Sequence, residues 1–180
     1  MNAYHLELIY VLGFTTVGLV GGIIDLRTYR IPNWVTWSGF GAGIVAHVCG
    51  DGLRGLESAL LASLLALLVI LPFYMKRGLG AGDVKLLMAA SAFAGLPHFY
   101  SIVFWSTCAG AAMAIVYALS KGYLKKALRN AMAVVGHASS APLSPHPDIN
   151  LDNPTLLRIP FGVGIAMGCL ITALGSGVRL

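Results

Sequence analysis

Gly78-Leu79-Gly80-Ala81-Gly82-Asp83-Val84-Lys85 is a glycine-rich octapeptide placed between two strongly apolar stretches, residues 56–74 and 84–96. Asp83 therefore stands at the edge of a hydrocarbon-like segment, and Asp25 closes the first apolar stretch, residues 6–24, in the same way. A carboxylate at the centre of a bilayer costs ~2.5 kcal/mol or more and survives near hydrocarbon mainly when it works or is paired. Both acids are functional-site candidates on that ground.

Further apolar stretches cover residues 34–49, 99–119 and 159–178, which makes six. The chain is 57% hydrophobic and 11% charged, with a mean hydropathy of +0.79, outside the range of ordinary globular domains. A spanning helix needs about 20 apolar residues, roughly 17 at the short end. Residues 34–49 and 84–96 are short by that measure and are expected to borrow flanking polar residues or tilt against neighbours. Reading 84–119 as one helix fails at Gly95-Leu96-Pro97, where proline removes a backbone donor and clashes with the preceding turn. A hairpin is expected there. The fold expected is all-α: a polytopic membrane protein with about six transmembrane helices, a single membrane-embedded domain over residues 1–180.

Basic residues orient such a chain through the positive-inside bias. Arg27, Arg30, Lys76, Arg77, Lys85, Lys121, Lys125, Lys126, Arg129 and Arg158 fall on one side of a six-span topology, and only Arg54 and Arg179 on the other. Both termini are then outside, and Asp25 and Asp83 share the cytoplasmic face. No basic cluster precedes the first stretch and no small-x-small pattern follows it, so a removable signal peptide is not expected. The long polar segment, about residues 120–158, is read as a cytoplasmic loop. Its first part puts Leu124, Leu128, Met132 and Val135 on one helical face, with Lys125, Lys126 and Arg129 off it. That suits a helix lying in the membrane interface, or equally an extension of the fifth span. Residues 139–154, with Pro142, Pro145, Pro147 and Pro154, are expected to be flexible. Cys49, Cys108 and Cys169 lie singly inside apolar stretches and read as buried, inert thiols.

The glycine-rich octapeptide is not a phosphate loop. It lacks the Gly-Lys-Ser/Thr ending, and Asp83 stands where a dinucleotide fingerprint needs a third glycine. Gly80 and Gly82 can instead let an extended substrate backbone approach Asp83. The plainer alternative is a membrane-edge turn in which Asp83 caps the next helix. For Asp25 the plainer alternative is an ion pair with Arg27 or Arg30. Together the acids say more, because peptide hydrolysis by carboxylates needs one to deprotonate water and one to protonate or polarise the carbonyl. Such a pair shares one proton and titrates in two separated steps. The five histidines show no His-Glu-x-x-His spacing, so no metal is expected, and no Gly-x-Ser-x-Gly element supports a serine mechanism.

Asp25 followed by Arg30-Ile31-Pro32-Asn33, then Gly80-Ala81-Gly82-Asp83-Val84-Lys85-Leu86-Leu87, then Arg158-Ile159-Pro160-Phe161-Gly162, resembles the type IV prepilin peptidases over essentially the whole chain. The Gly-x-Gly-Asp element is weak alone and specific in this order and company. The resemblance implies a six-span aspartic endopeptidase of the bacterial inner membrane that cuts the short basic leader from prepilins and pseudopilins at the cytoplasmic face. Asp25 and Asp83 match its two catalytic aspartates. Larger members add a region with paired Cys-x-x-Cys elements and methylate the new N-terminus; the loop 26–33 has no cysteine and no room for one. The chain thus looks like the short TadV/CpaA-like kind serving tight-adherence (Flp) pili, with neither N-methylation nor a methyl-donor cofactor expected.

Lys85 is expected to hold charge near the acids and substrate or to reach headgroups, and Ile159 to Gly162 to start the last helix near the site. Two other classes stay open: a small proton-coupled transporter, with the acids as proton relays, and a non-catalytic assembly factor of a pilus or secretion system. The net charge of +5 and pI near 9.3 are accounted for by topology and anionic membrane lipids. Nucleic acid is not an expected partner.

Overall fold

The computed structural model describes residues 3–140, 144–147, 149, 153 and 159–177. They form α1 (Ala3–Thr28), α2 (Asn33–Met75), α3 (Ala81–Ser120), α4 (Leu124–Ser140) and α5 (Phe161–Gly175), and no strand occurs among the described residues. α1, α2 and α3 are long and apolar enough to cross a membrane, and α5 is a shorter apolar helix. Arg158, Arg179, Pro142 and Pro154 lie outside the described residues.

α2 has 43 residues and α3 has 40, lengths that in a straight helix would reach roughly 60 Å, twice a bilayer core. Neither is straight. Gly52 in α2 (φ 61°, ψ −133°) and Gly95 in α3 (φ 59°, ψ −175°) leave the helical region for a left-handed conformation that favours glycine. At both the chain doubles back. A β-carbon on Gly55 would run into the carbonyl of His47, eight residues away and ~12 Å distant along an unbroken helix. Leu87 and Ser106 border one cavity of ≈ 260 Å³, although a straight helix would hold them ~28 Å apart. Pro97 falls in the first turn after the break, where its missing N–H has no helical partner to lose. The reversal expected at Gly95-Leu96-Pro97 is present.

Backbone groups released by the reversal in α3 are taken up by side chains of α2. His47 Nε2 bonds the carbonyl of Phe93 at 3.0 Å, and the N–H of Leu96 donates to Ser58 Oγ at 3.0 Å. The Tyr10 ring stacks on His47 with centroids 3.9 Å apart, and its hydroxyl donates to Asp51 Oδ2 at 3.2 Å. Thus α1 and both limbs of α2 meet the bend of α3. One apolar core joins Val11 and Phe14 of α1, Leu86 and Ile102 of α3, and Ile165 and Cys169 of α5, all fully buried. Close backbone approach supplements it: a β-carbon on Gly22 would sit 2.8 Å from the Gly162 carbonyl oxygen.

One sequence expectation changes, and one alternative left open is decided. Cys49 and Cys108 are exposed, and only Cys169 is buried. An apolar stretch in this chain covers the outside of the body as well as its core, as exposed Leu68, Phe104 and Leu174 also show, and position within such a stretch does not decide facing. Secondly, Gly122 (φ 67°) separates α4 from α3. The basic segment is therefore a helix of its own rather than a continuation, with Leu128, Met132 and Val135 exposed.

Candidate active site

Asp83 occupies the third position of α3, and Gly80 is the residue that caps it. Asp83 Oδ2 accepts the N–H of Gly80 at 3.1 Å, the reach-back half of a capping box, available here although a glycine supplies no side chain in return. The capping role weighed for Asp83 is present in this geometry, and it uses one oxygen. The connection between α1 and α2 lies against the same turn. A β-carbon on Gly82 would sit 3.1 Å from Ile31 Cβ. Thr28 Oγ1 steadies that connection, its one hydrogen within reach of the carbonyls of Ile24 at 2.9 Å and Arg30 at 2.8 Å.

Asp25, one turn from the end of α1, is buried at 5% exposure. Its Oδ2 accepts the N–H of Gly162 at 2.8 Å. Gly162 is the second residue of α5, so this N–H belongs to the group that a helix start leaves without internal partners. No side chain fits there, because a β-carbon on Gly162 would lie 2.8 Å from Asp25 Cβ and 2.9 Å from its Oδ2. Among the described residues no ion pair joins Asp25 to Arg27 or Arg30.

α1 and α3 thus bring the two carboxylates close enough for their charges to interact. Each has Oδ2 held by an N–H at a helix start, where the helix dipole favours negative charge. Asp25 is buried and Asp83 half-buried. The ≈ 260 Å³ cavity reaches this end of the molecule: Leu79 and Phe161, the residues just before Gly80 and Gly162, both line it. Lys85 Nζ donates to Asn33 Oδ1 at 3.0 Å, fastening the first turn of α3 to the first residue of α2. Asn33 and Gly162 are the partners that residue-by-residue reading did not assign. Both lie in motifs visible in the sequence, yet the Asp25–Gly162 pairing spans 137 positions and no local signal states it.

Residues 12–115, which include both acids, match the type IV leader peptidase family. The chain belongs to this family. The match takes in most of α1, all of α2 and α3 as far as residue 115, while α5 lies beyond it. No curated protein and no solved structure gives a significant match. Membership in the leader peptidase family, together with three long apolar helices, supports a membrane protein with a leader-peptidase function.

Proposed function

We propose that this leader peptidase family member is an aspartic endopeptidase that removes the short basic leader from type IV or Flp prepilins and pseudopilins at the cytoplasmic face of the bacterial inner membrane. The observation carrying this reading is the paired carboxylates, each with one oxygen engaged by a backbone N–H at a helix start.

In this reading Asp25 and Asp83 are the catalytic groups. One, as carboxylate, takes a proton from water while the other, as carboxylic acid, donates to the scissile carbonyl; the resulting tetrahedral species collapses as the leaving amine gains a proton. Each acid has its Oδ2 engaged, which in this reading leaves the other oxygen for water and substrate. Gly80 and Gly82 admit the substrate backbone, and Lys85, held by Asn33, stands two residues after Asp83. The six crossings are α1, the two limbs of α2, the two limbs of α3, and α5. The reversals at Gly52 and Gly95 support that count. The short connection between α1 and α2 favours cleavage without N-methylation and hence no methyl-donor cofactor.

The test is co-expression with a Flp-type prepilin, following its size on a gel and its new N-terminus by mass spectrometry. Cleavage by the wild-type chain and by neither Asp25→Asn nor Asp83→Asn is the expected result. Unchanged processing by either variant, at confirmed expression, excludes the dyad.

A further inference from the structure

At the elbow between α3 and α4 the chain encloses a cavity of ≈ 520 Å³ with a sharp division of character. Its inner wall is apolar, made by Ala114 and Ala118 near the end of α3 and by Ile159. Its rim carries Lys121, Lys126 and Asn130. Two tyrosines complete the wall, and each lies under one of the lysines: Lys121 Nζ is 5.9 Å from the Tyr117 ring centroid, and Lys126 Nζ is 5.3 Å from that of Tyr123. Both distances are within reach of a cation–π contact. Neither lysine forms an ion pair among the described residues.

The position decides what such a cavity would take. It opens at the end of α3, an apolar helix long enough to cross a membrane, where tyrosines commonly mark the level of the headgroups. Beyond the elbow, α4 exposes Leu128 and Met132, an apolar face suited to lying along the interface. A ligand matched to two cations at the rim and alanine and isoleucine within has an anionic head and a hydrocarbon body.

We propose that this elbow is a binding site for an anionic phospholipid of the bilayer, its phosphate between Lys121 and Lys126 and the first part of an acyl chain against Ala114, Ala118 and Ile159. The site is separate from the carboxylate pair, and the proposal does not depend on what those acids do.

The test uses the full chain reconstituted in vesicles of equal parts phosphatidylcholine and phosphatidylglycerol, released into mild detergent, with retained lipid measured by native mass spectrometry. Retention of phosphatidylglycerol should exceed that of phosphatidylcholine by on the order of ten-fold, as two lysines near a headgroup imply. Lys121→Gln with Lys126→Gln should bring the ratio close to one. Lys125→Gln with Arg129→Gln removes the same amount of charge from α4 outside the cavity and should leave the preference in place. Equal retention by the wild type overturns the site. Equal loss in both double variants shows diffuse surface charge and overturns it too. Competition by free glycerol phosphate as effective as by the lipid would reassign the cavity to a soluble phosphate compound.

Discussion

The two ends of the helical body use hydrogen bonds in opposite directions. At the end where α2 and α3 reverse, side chains complete the backbone: His47 serves the carbonyl of Phe93, and Ser58 serves the N–H of Leu96. At the end that holds Asp25 and Asp83, the backbone completes the side chains, through the N–H groups of Gly162 and Gly80. The first arrangement closes a shape, because an unpaired backbone group inside an apolar body is costly. The second orients the two carboxyl groups proposed as catalytic while using only one oxygen of each. Loss at the reversal end should therefore appear as stability, and loss at the carboxylate end as rate.

The largest effect expected is from Asp25→Asn or Asp83→Asn. Asparagine keeps an oxygen that can accept the same N–H, so the helix starts stay capped, but it can neither take a proton from water nor lend one. Cleavage should fall by about 10²–10⁴-fold with thermal unfolding in detergent little changed. A parallel collapse of both would assign these acids to the fold and remove the contrast.

Next is Gly162→Ala, whose new methyl group must displace Asp25. Displacing a reacting group by about 1 Å costs up to roughly 10²-fold in rate. The expected signature is a fall in kcat with KM held, measured on a prepilin peptide in the folded fraction. A change in KM alone would place Gly162 in substrate binding instead.

At the other end, His47→Leu leaves the Phe93 carbonyl without its partner in a buried setting. A loss of about 1–3 kcal/mol of stability is expected, read as a lower unfolding temperature, with kcat per folded molecule unchanged. Ser58→Ala should act in the same direction through the Leu96 N–H. The smallest effect is expected from Tyr10→Phe, which removes the hydroxyl that donates to Asp51 and retains the ring stacked on His47; about 0.5–1.5 kcal/mol is the scale. A rate defect in any of these three, with stability intact, would mean that the two ends are coupled.

Which parts of this could be read from the chain follows from how local each signal is. The reversal at Gly95 is written in Gly95-Leu96-Pro97, and the start of α5 in Pro160. The two acids announce themselves because so little else near them is charged. Facing was not legible, since helices apolar all round carry little periodic contrast between inner and outer sides, which is why Cys49 and Cys108 turn outward where burial was expected. The start of α4 turns on the positive φ of Gly122, where sequence left extension and separate helix equally open. The partner of Asp25 was beyond reach for another reason: it is a backbone group, whose identity leaves no residue type to search for, and it is supplied by α5.

That partner also sets an order of events in biosynthesis. Asp25 is made 137 residues before the amide that holds it, an interval of roughly 7–27 s at ~5–20 residues per second. Asp83 follows 58 residues into that interval, and for the remaining 79 residues both acids have been delivered while Asp25 has no anchor. A nascent chain halted before α5 would carry both acids without the amide that orients the first, so the anchored pair is finished by the last described helix to be made.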